Sequence, residues 1–434
     1  MISVNKPKII SIMSHGPTYH FSPNEKPDIY WEKPDGSLVG FWTREWLDLL
    51  GDTILKETDR YDWEVWQPDY RADKVYSKTL ETGVIHRLFP AIEKTYRPGI
   101  RTQKGSFSEI MISQLKKLQS QSIILMFYST YGFRTPFYLE LLKIFGPTKK
   151  FPIFFRSGGM FKAPISEIMG FHRPLTYLCL LFEHLKLKKL IRHVDVVSEQ
   201  AESALREVRK VYNGRVEKLT MGCDFSFWIP APSMEIKKSI RKKFNIQKGK
   251  IVFFASGNFM PRKQLDKLLK AFDSIQDRND FFLTIAGHGD KVNSNLLISL
   301  AEPLIKRGKA ILHPYIEGEK LRELYWASDL YVSVSTDEGG PVSVMKAIAC
   351  GLPVLSTPVG ETADRMKKHN AGRFVPVKKY DEWTKAIIEI LDKKIPNVLD
   401  REVAKEAYDW PNVSKRFIRV YDELISIYSN REKS

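Results

Sequence analysis

DEGGPVSVMKAIACGLPV, residues 337–354, runs an acidic pair into two glycines and a proline, then into a short apolar-periodic segment that closes on Gly351 and Pro353. The run before it, Leu330 to Ser335, reads as a buried strand, so the quoted stretch is a strand-to-helix turn. Pro341 is expected at the first helical position, where its missing N–H costs nothing. Gly339 and Gly340 expose backbone N–H groups beside the positive end of that helix, which makes an anion site. Beside it Glu338 offers a carboxylate that accepts hydrogen bonds from sugar hydroxyls. Taken alone, Asp337 and Glu338 also read as a simple complement to the helix dipole.

The same alternation of strand and helix extends in both directions. Strands are predicted at 251–256, 281–286, 310–314, 330–335, 353–357 and 373–376, with helices between them, and this predicts a doubly wound unit. Upstream, strands are predicted at Ile9–Met13, Trp63–Trp66, Ile123–Tyr128, Ile153–Phe155 and Val194–Ser198, with helical periodicity over Phe107–Leu118 and Ala201–Val211. Residues 15–40 and 68–105 are polar, rich in Pro and Gly, and give no clear pattern. A boundary falls near 225–245, where DFSFWIPAPSMEIKKSIRKKF passes from an aromatic turn through two prolines into a basic helix. Trp410 to Tyr428 reads as a helix with one strongly apolar face.

A chain of 434 residues, 43% hydrophobic, fills two cores. Its 68 Lys and Arg against 51 Asp and Glu give a formal charge of +17, which attracts polyanions: nucleic acid, an anionic membrane face or phosphorylated ligands. Cys179, Cys223 and Cys350 are far apart and read as buried thiols in a reducing compartment. The N-terminal apolar run is too short for a signal-peptide core, and no stretch approaches the roughly 20 apolar residues of a spanning helix. The expectation is a cytoplasmic protein, peripheral on the inner membrane face at most.

EGGPVSVMKAIACGLPV, followed by Thr357-Pro358-Val359-Gly360-Glu361, resembles the signature region of the retaining nucleotide-sugar glycosyltransferases of the GT-B fold, family 4. Similar in the same way are Gly257-Asn258-Phe259-Met260-Pro261-Arg262-Lys263, Ile285-Ala286-Gly287-His288-Gly289, the turn Gly222-Cys223-Asp224-Phe225 and the helix start Trp410-Pro411-Asn412-Val413. The likeness covers 220–425, and the first half only in architecture. It implies two Rossmann-like domains facing across a cleft: an acceptor domain (1–225), a nucleotide-sugar domain (226–409) and a C-terminal helix (410–434) that crosses back to the first domain. It also implies that Glu338 receives donor-sugar hydroxyls, that the N–H groups of Gly339 and Gly340 face the phosphate end, and that Lys263 pairs with the diphosphate. Glu338 and Lys263 are thus the catalytic candidates. Pro341, Arg262, Asn258, Gly287 and Lys346 join the two glycines as donor-binding candidates.

The sequence departs from the family pattern twice. Lys346 stands where the family has a second glutamate, associated with the nucleotide ribose, and Asn258 stands where it has an arginine. An ammonium has three donors and no acceptor, so Lys346 reaches a phosphate or solvent while Asp364 or Glu361 takes the ribose. Arg262 stands in for the missing arginine.

In the first half, His15 and Gly16 follow the first strand and Arg156 precedes Ser157-Gly158-Gly159. All three are candidates for acceptor or cleft contacts, and each also has an ordinary structural reading. The sequence contains no Asp-x-Asp and no zinc-like Cys/His spacing. Gly287-His288-Gly289 lacks the third glycine of a dinucleotide fingerprint. The expectation is a metal-independent hexosyltransferase with no cofactor, whose nucleotide diphosphate sugar is a co-substrate. The expected acceptor is a glycan, lipid-linked and bound for a cell-surface polysaccharide or glycoconjugate. Between 143 and 192 ten basic residues face two glutamates, and LTYLCLLFEHLKLKKLIRH joins an apolar helix to a basic end. This reads either as a core helix or as one that lies on an anionic bilayer. No nucleic-acid module is present. The rival reading is a non-catalytic GT-B partner subunit, motivated by Lys346 and Asn258.

Overall fold

Apolar runs four to eight residues long build the central strands, and their two-sided burial makes the sheets parallel and covered by helices. The computed structural model describes residues 6–13, 29–41, 48–97, 103–118, 123–129, 136–148, 150–157, 161 and 174–431. Its chain divides into two compact units: residues up to Leu219 together with those from Trp410 on, and Thr220–Asp409.

The first unit contains strands β1 (Lys8–Met13), β2 (Ile29–Glu32), β3 (Leu38–Phe41), β4 (Asp62–Asp69), β5 (Tyr76–Thr79) and β6 (Ile85–Pro90). It continues with β7 (Ile92–Arg97), β8 (Gln103–Phe107), β9 (Ile123–Ser129), β10 (Ile153–Ser157), β11 (Val196–Glu199) and β12 (Arg215–Lys218). Eight of them form one sheet in the order β12-β11-β10-β9-β1-β4-β6-β5. All its neighbours pair in parallel except β5, which is antiparallel to β6. The pairs β2–β3 and β7–β8 are separate antiparallel ribbons. They lie in the two segments that gave no clear pattern in the sequence.

The helix Trp410–Arg431 belongs to this first unit. It buries Val413, Phe417, Val420, Tyr421 and Leu424. Tyr421 meets the rings of Trp63 and Phe154 at 6.3 and 5.4 Å. At the outer edge of the same face Tyr61 donates to Asp422, and Tyr428 donates to Asp195 at 3.0 Å. An aromatic side chain buried in this way contributes on the order of 1.5–3 kcal/mol.

The second unit holds β13 (Ile251–Ser256), β14 (Phe281–Ala286), β15 (Ala310–His313), β16 (Leu330–Ser333), β17 (Val354–Ser356) and β18 (Arg373–Phe374). Their spatial order is β15-β14-β13-β16-β17-β18, all parallel. Counted from β13 this is the doubly wound order 3-2-1-4-5-6, so the strand order reverses between β13 and β16. A crevice outside the carboxyl ends of those two strands is where such sheets hold ligands. The half-buried carboxylate of Asp329 ties the opposite end: it accepts from Val252 N–H at 2.9 Å and pairs with Lys237 and Arg241. Cys223 and Cys350 are buried thiols, and burial pushes Cys350 up to about 12. The side chain of Cys179 lies outside the described residues.

Candidate active site

The loop after β13 and the loop after β16 meet at the switch point. The first passes through Gly257 (φ +147°) into a single 3-10 turn, Pro261–Lys263, and then through Gln264 (φ +51°) into the helix Leu265–Asp273. The second carries Thr336 to Pro341 into the helix Val342–Ala349. The Arg262 carbonyl, which accepts from Thr336 N–H at 2.9 Å, stitches the two loops together.

Across that seam lies a three-charge cluster. Lys263 Nζ is 2.5 Å and Arg262 Nη1 3.0 Å from the same oxygen, Glu338 Oε1. Arg262 Nη1 also reaches the carbonyl of Asp337 at 3.1 Å. Glu338 is 8% exposed. Burial pushes its carboxyl up, but Lys263 and then Arg262 outweigh that and hold it below the usual glutamate range. The cluster is one carboxylate against two cations, so it retains a net positive charge. Beneath it Tyr331 is buried and exchanges hydrogen bonds with Ser256, while Tyr325 donates to the Ser343 carbonyl at 2.9 Å.

The glycine turn itself is asymmetric. Its carbonyl side is packed: Gly339 O accepts from Glu361 N–H at 2.7 Å. A Cβ on Gly360 (φ +81°) would lie 2.9 Å from that same oxygen. On its donor side, the N–H groups of Gly339, Gly340, Val342 and Ser343 have no acceptor among the described residues. Pro341 is one position earlier than expected. It has an extended ψ of 102° and caps the helix, which starts at Val342, and its carbonyl accepts from Val344 and Met345. With no N–H of its own, it can hold that extended geometry without losing a helical bond.

The remaining sequence candidates fall in several places. Gly287, after β14, sits where a Cβ would come within 1.9 Å of Gly257 O, so glycine is required for the two loops to touch. Asn258 is exposed at the loop tip. Arg262, rather than residue 258, supplies the guanidinium at Glu338. Lys346 places its ammonium 4.7 Å from the ring centre of Trp228, a cation–π contact. Arg156 is the penultimate residue of β10 in the first unit, buried, with its guanidinium 4.7 Å from the Phe417 ring. His15 and Gly16 lie outside the described residues.

Glu361 is committed elsewhere. Its carboxylate is 1% exposed, pairs with Arg365 at 2.8 Å and accepts from the Tyr408 hydroxyl. That removes it as the acceptor proposed for a ribose. The network that holds the turn, Gly339 to Glu361 to Arg365 and Tyr408, was not foreseen from the sequence. In the sequence its local signal was the glycine at 360, whose positive φ the fold uses.

Residues 236–410 match the family model described as Glycosyl transferases group 1. The matched segment contains the whole switch-point site. Among curated relatives of that kind, an uncharacterized glycosyltransferase of Methanocaldococcus jannaschii is 27% identical over 194 residues, 44% of this chain and 49% of its own length. A D-inositol 3-phosphate glycosyltransferase of Rhodococcus erythropolis is 24% identical over 238 residues, 52% of each chain. A UDP-Gal:alpha-D-GlcNAc-diphosphoundecaprenol alpha-1,3-galactosyltransferase of Escherichia coli is 21% identical over 55% of this chain and 61% of its own. The chain thus spans about half the length of the first two relatives.

Two solved structures match nearly end to end. Sucrose-phosphate synthase of Thermosynechococcus elongatus has a TM-score of 0.69 at 16% identity, over 97% of this chain and all of that one. HepE of Anabaena, solved in complex with UDP, has a TM-score of 0.65 at 13% identity, over 96% and 100%. These likenesses show the fold, a two-unit α/β architecture of the GT-B glycosyltransferase type.

Proposed function

We propose that this protein is a glycosyltransferase that moves a hexose-type sugar from a nucleoside diphosphate sugar to a hydroxyl of a glycan acceptor. The observation that carries the reading is the Lys263–Glu338–Arg262 cluster beside a turn whose N–H groups have no acceptor among the described residues. In the chemistry the acceptor oxygen bonds to the anomeric carbon, the bond from that carbon to the diphosphate oxygen breaks, and the acceptor's hydroxyl proton passes to that departing oxygen. Negative charge then gathers on the departing nucleoside diphosphate. Lys263, Arg262 and the N–H groups at Gly339 and Gly340 supply preorganised positive ends for that charge, usually the largest catalytic contribution. Glu338 accepts hydrogen bonds from the sugar hydroxyls, and its affinity for them rises as Lys263 turns from it to the diphosphate. Retention of the anomeric configuration, family 4 membership and independence from metal belong to the same reading. The Rhodococcus and Escherichia relatives are named for phosphorylated and lipid-diphosphate acceptors, which supports an anionic, lipid-linked acceptor here.

Calorimetric titration with UDP, GDP and their sugars tests this directly, with UDP-glucose as the first donor. At least one donor is expected to bind and hydrolyse slowly. Lys263→Ala should weaken it about 10- to 100-fold, the scale of one charge-assisted hydrogen bond. If no donor of the panel binds, the non-catalytic partner subunit is the correct reading.

A further inference from the structure

The helix Pro174–Ile191 is apolar on two opposite faces. One face, with Leu180, Leu187, Leu190 and Ile191, is buried against the first unit. On the other side Leu178, Phe182 and Leu185 stand exposed by 48%, 70% and 54%. At 100° per residue, Leu178, Phe182, Leu185 and Lys189 fall within a sector of roughly 60°, a single stripe along the helix. Lys186 and Lys188 lie roughly 80° to either side of it, and both are exposed, as are Lys189 and Arg192. Glu183, the helix's one carboxylate, is half-buried and falls on the side of Leu187 and Leu190. Past the last turn the basic rim continues: a hollow of about 400 Å³ is lined by Lys188, Arg192 and Arg215 against Asp195.

We infer that this stripe is a docking face for an anionic lipid bilayer. An apolar ridge framed by lysines is the pattern that sinks into the boundary between head groups and acyl chains. Each lysine near a negative surface adds about 1 kcal/mol of attraction, roughly fivefold in binding. The charge also argues against a second copy of this chain as the occupant. Self-association through the stripe would bring Lys186, Lys188, Lys189 and Arg192 against their own counterparts. The inference stands apart from the donor chemistry, and adds to it that the acceptor hydroxyl is presented at a membrane surface.

Flotation of the full chain with phosphatidylcholine vesicles, with and without phosphatidylglycerol, reads the inference out. Binding is expected only with phosphatidylglycerol and should weaken as salt rises. The double variant Phe182→Ser with Leu185→Ser should bind at least about tenfold less well. Lys186→Glu with Lys189→Glu should lose about tenfold or more on the anionic vesicles. All of these positions are exposed, so melting temperature and donor binding should stay as in the parent protein. Failure of the parent to float, or equal flotation of the variants, would overturn the inference. So would a parent dimer that Phe182→Ser splits, since the stripe would then be covered by a second copy. Donor titration of the same preparations separates any of these results from a failure of the glycosyltransferase reading.

Discussion

Glu338 is a carboxylate whose burial favours the protonated form, and Lys263 and Arg262, which share one of its oxygens, more than offset that. Glu338→Gln keeps the shape and removes the charge. Arg262 is partly exposed, so water can replace the lost pair, and the expected cost is about 1–3 kcal/mol, together with loss of transfer. The folded carboxyl titrates below the ordinary value of 4.5. Its stabilisation is therefore fully present above that value and is lost as pH falls through the folded value. In urea titrations the gap between parent and variant should be constant near neutrality and close on acidification. A gap that persists well below pH 4.5 would mean that the pair does not set stability.

Glu199, at the end of β11, has the opposite sign. It is fully buried, neither oxygen has a hydrogen bond of full geometry among the described residues, and burial pushes it up to about 8 against weaker opposing interactions with Ser157 and the Gln200 N–H. Ionising it opposes folding, so the parent should lose stability from about pH 4.5 up to about 8. Glu199→Gln should remove that slope in the same titration. At this scale the family resemblance singled out Glu338, Lys263 and Gly339-Gly340, which the fold does bring together; the residues alone read equally as a complement to the helix dipole. The contact between Lys346 and Trp228 was not legible, because the two residues are 118 positions apart and no local pattern joins them.

The two loops at the switch point are elements held in shape by glycines. Gly360→Ala would force a side chain into φ +81° and against Gly339 O and Pro341. The backbone strain alone is of order 1–3 kcal/mol. Because the Gly339 carbonyl is the contact, donor affinity should fall as well as melting temperature, and parallel calorimetry and thermal melts separate the two. Loss of stability with unaltered donor affinity would show that the packed side of the turn does not position its N–H groups. The β13–β17 strands were read from sequence to within two residues because they are short apolar runs bounded by turns. The ribbons β2–β3 and β7–β8 were missed. Their alternation is brief and interrupted by charges and prolines, and antiparallel partners close in sequence need little hydrophobic pattern to pair.

At the scale of the whole molecule, the chain leaves its first unit after Leu219 and returns to it at Trp410. The returning helix completes a core that the first 219 residues leave open on the Trp63, Phe154 face. Tyr421→Ala should cost about 3–5 kcal/mol. Amide exchange should quicken across β1, β9 and β10 and stay unchanged across β13 to β17. Equal loosening of both sheets would contradict two separately built units. The apolar face from Val413 to Leu424 was legible from its spacing alone, whereas the surface it covers is set by strands more than 250 residues earlier.

The central claim is that the turn after β16 receives the diphosphate of a sugar donor. A structure of the protein with UDP-glucose bound tests it most directly. The account predicts the diphosphate within hydrogen-bond distance of Lys263 Nζ and of the N–H groups of Gly339 and Gly340, with sugar hydroxyls on Glu338. A nucleotide bound elsewhere, with Lys263 still seated on Glu338, would contradict it.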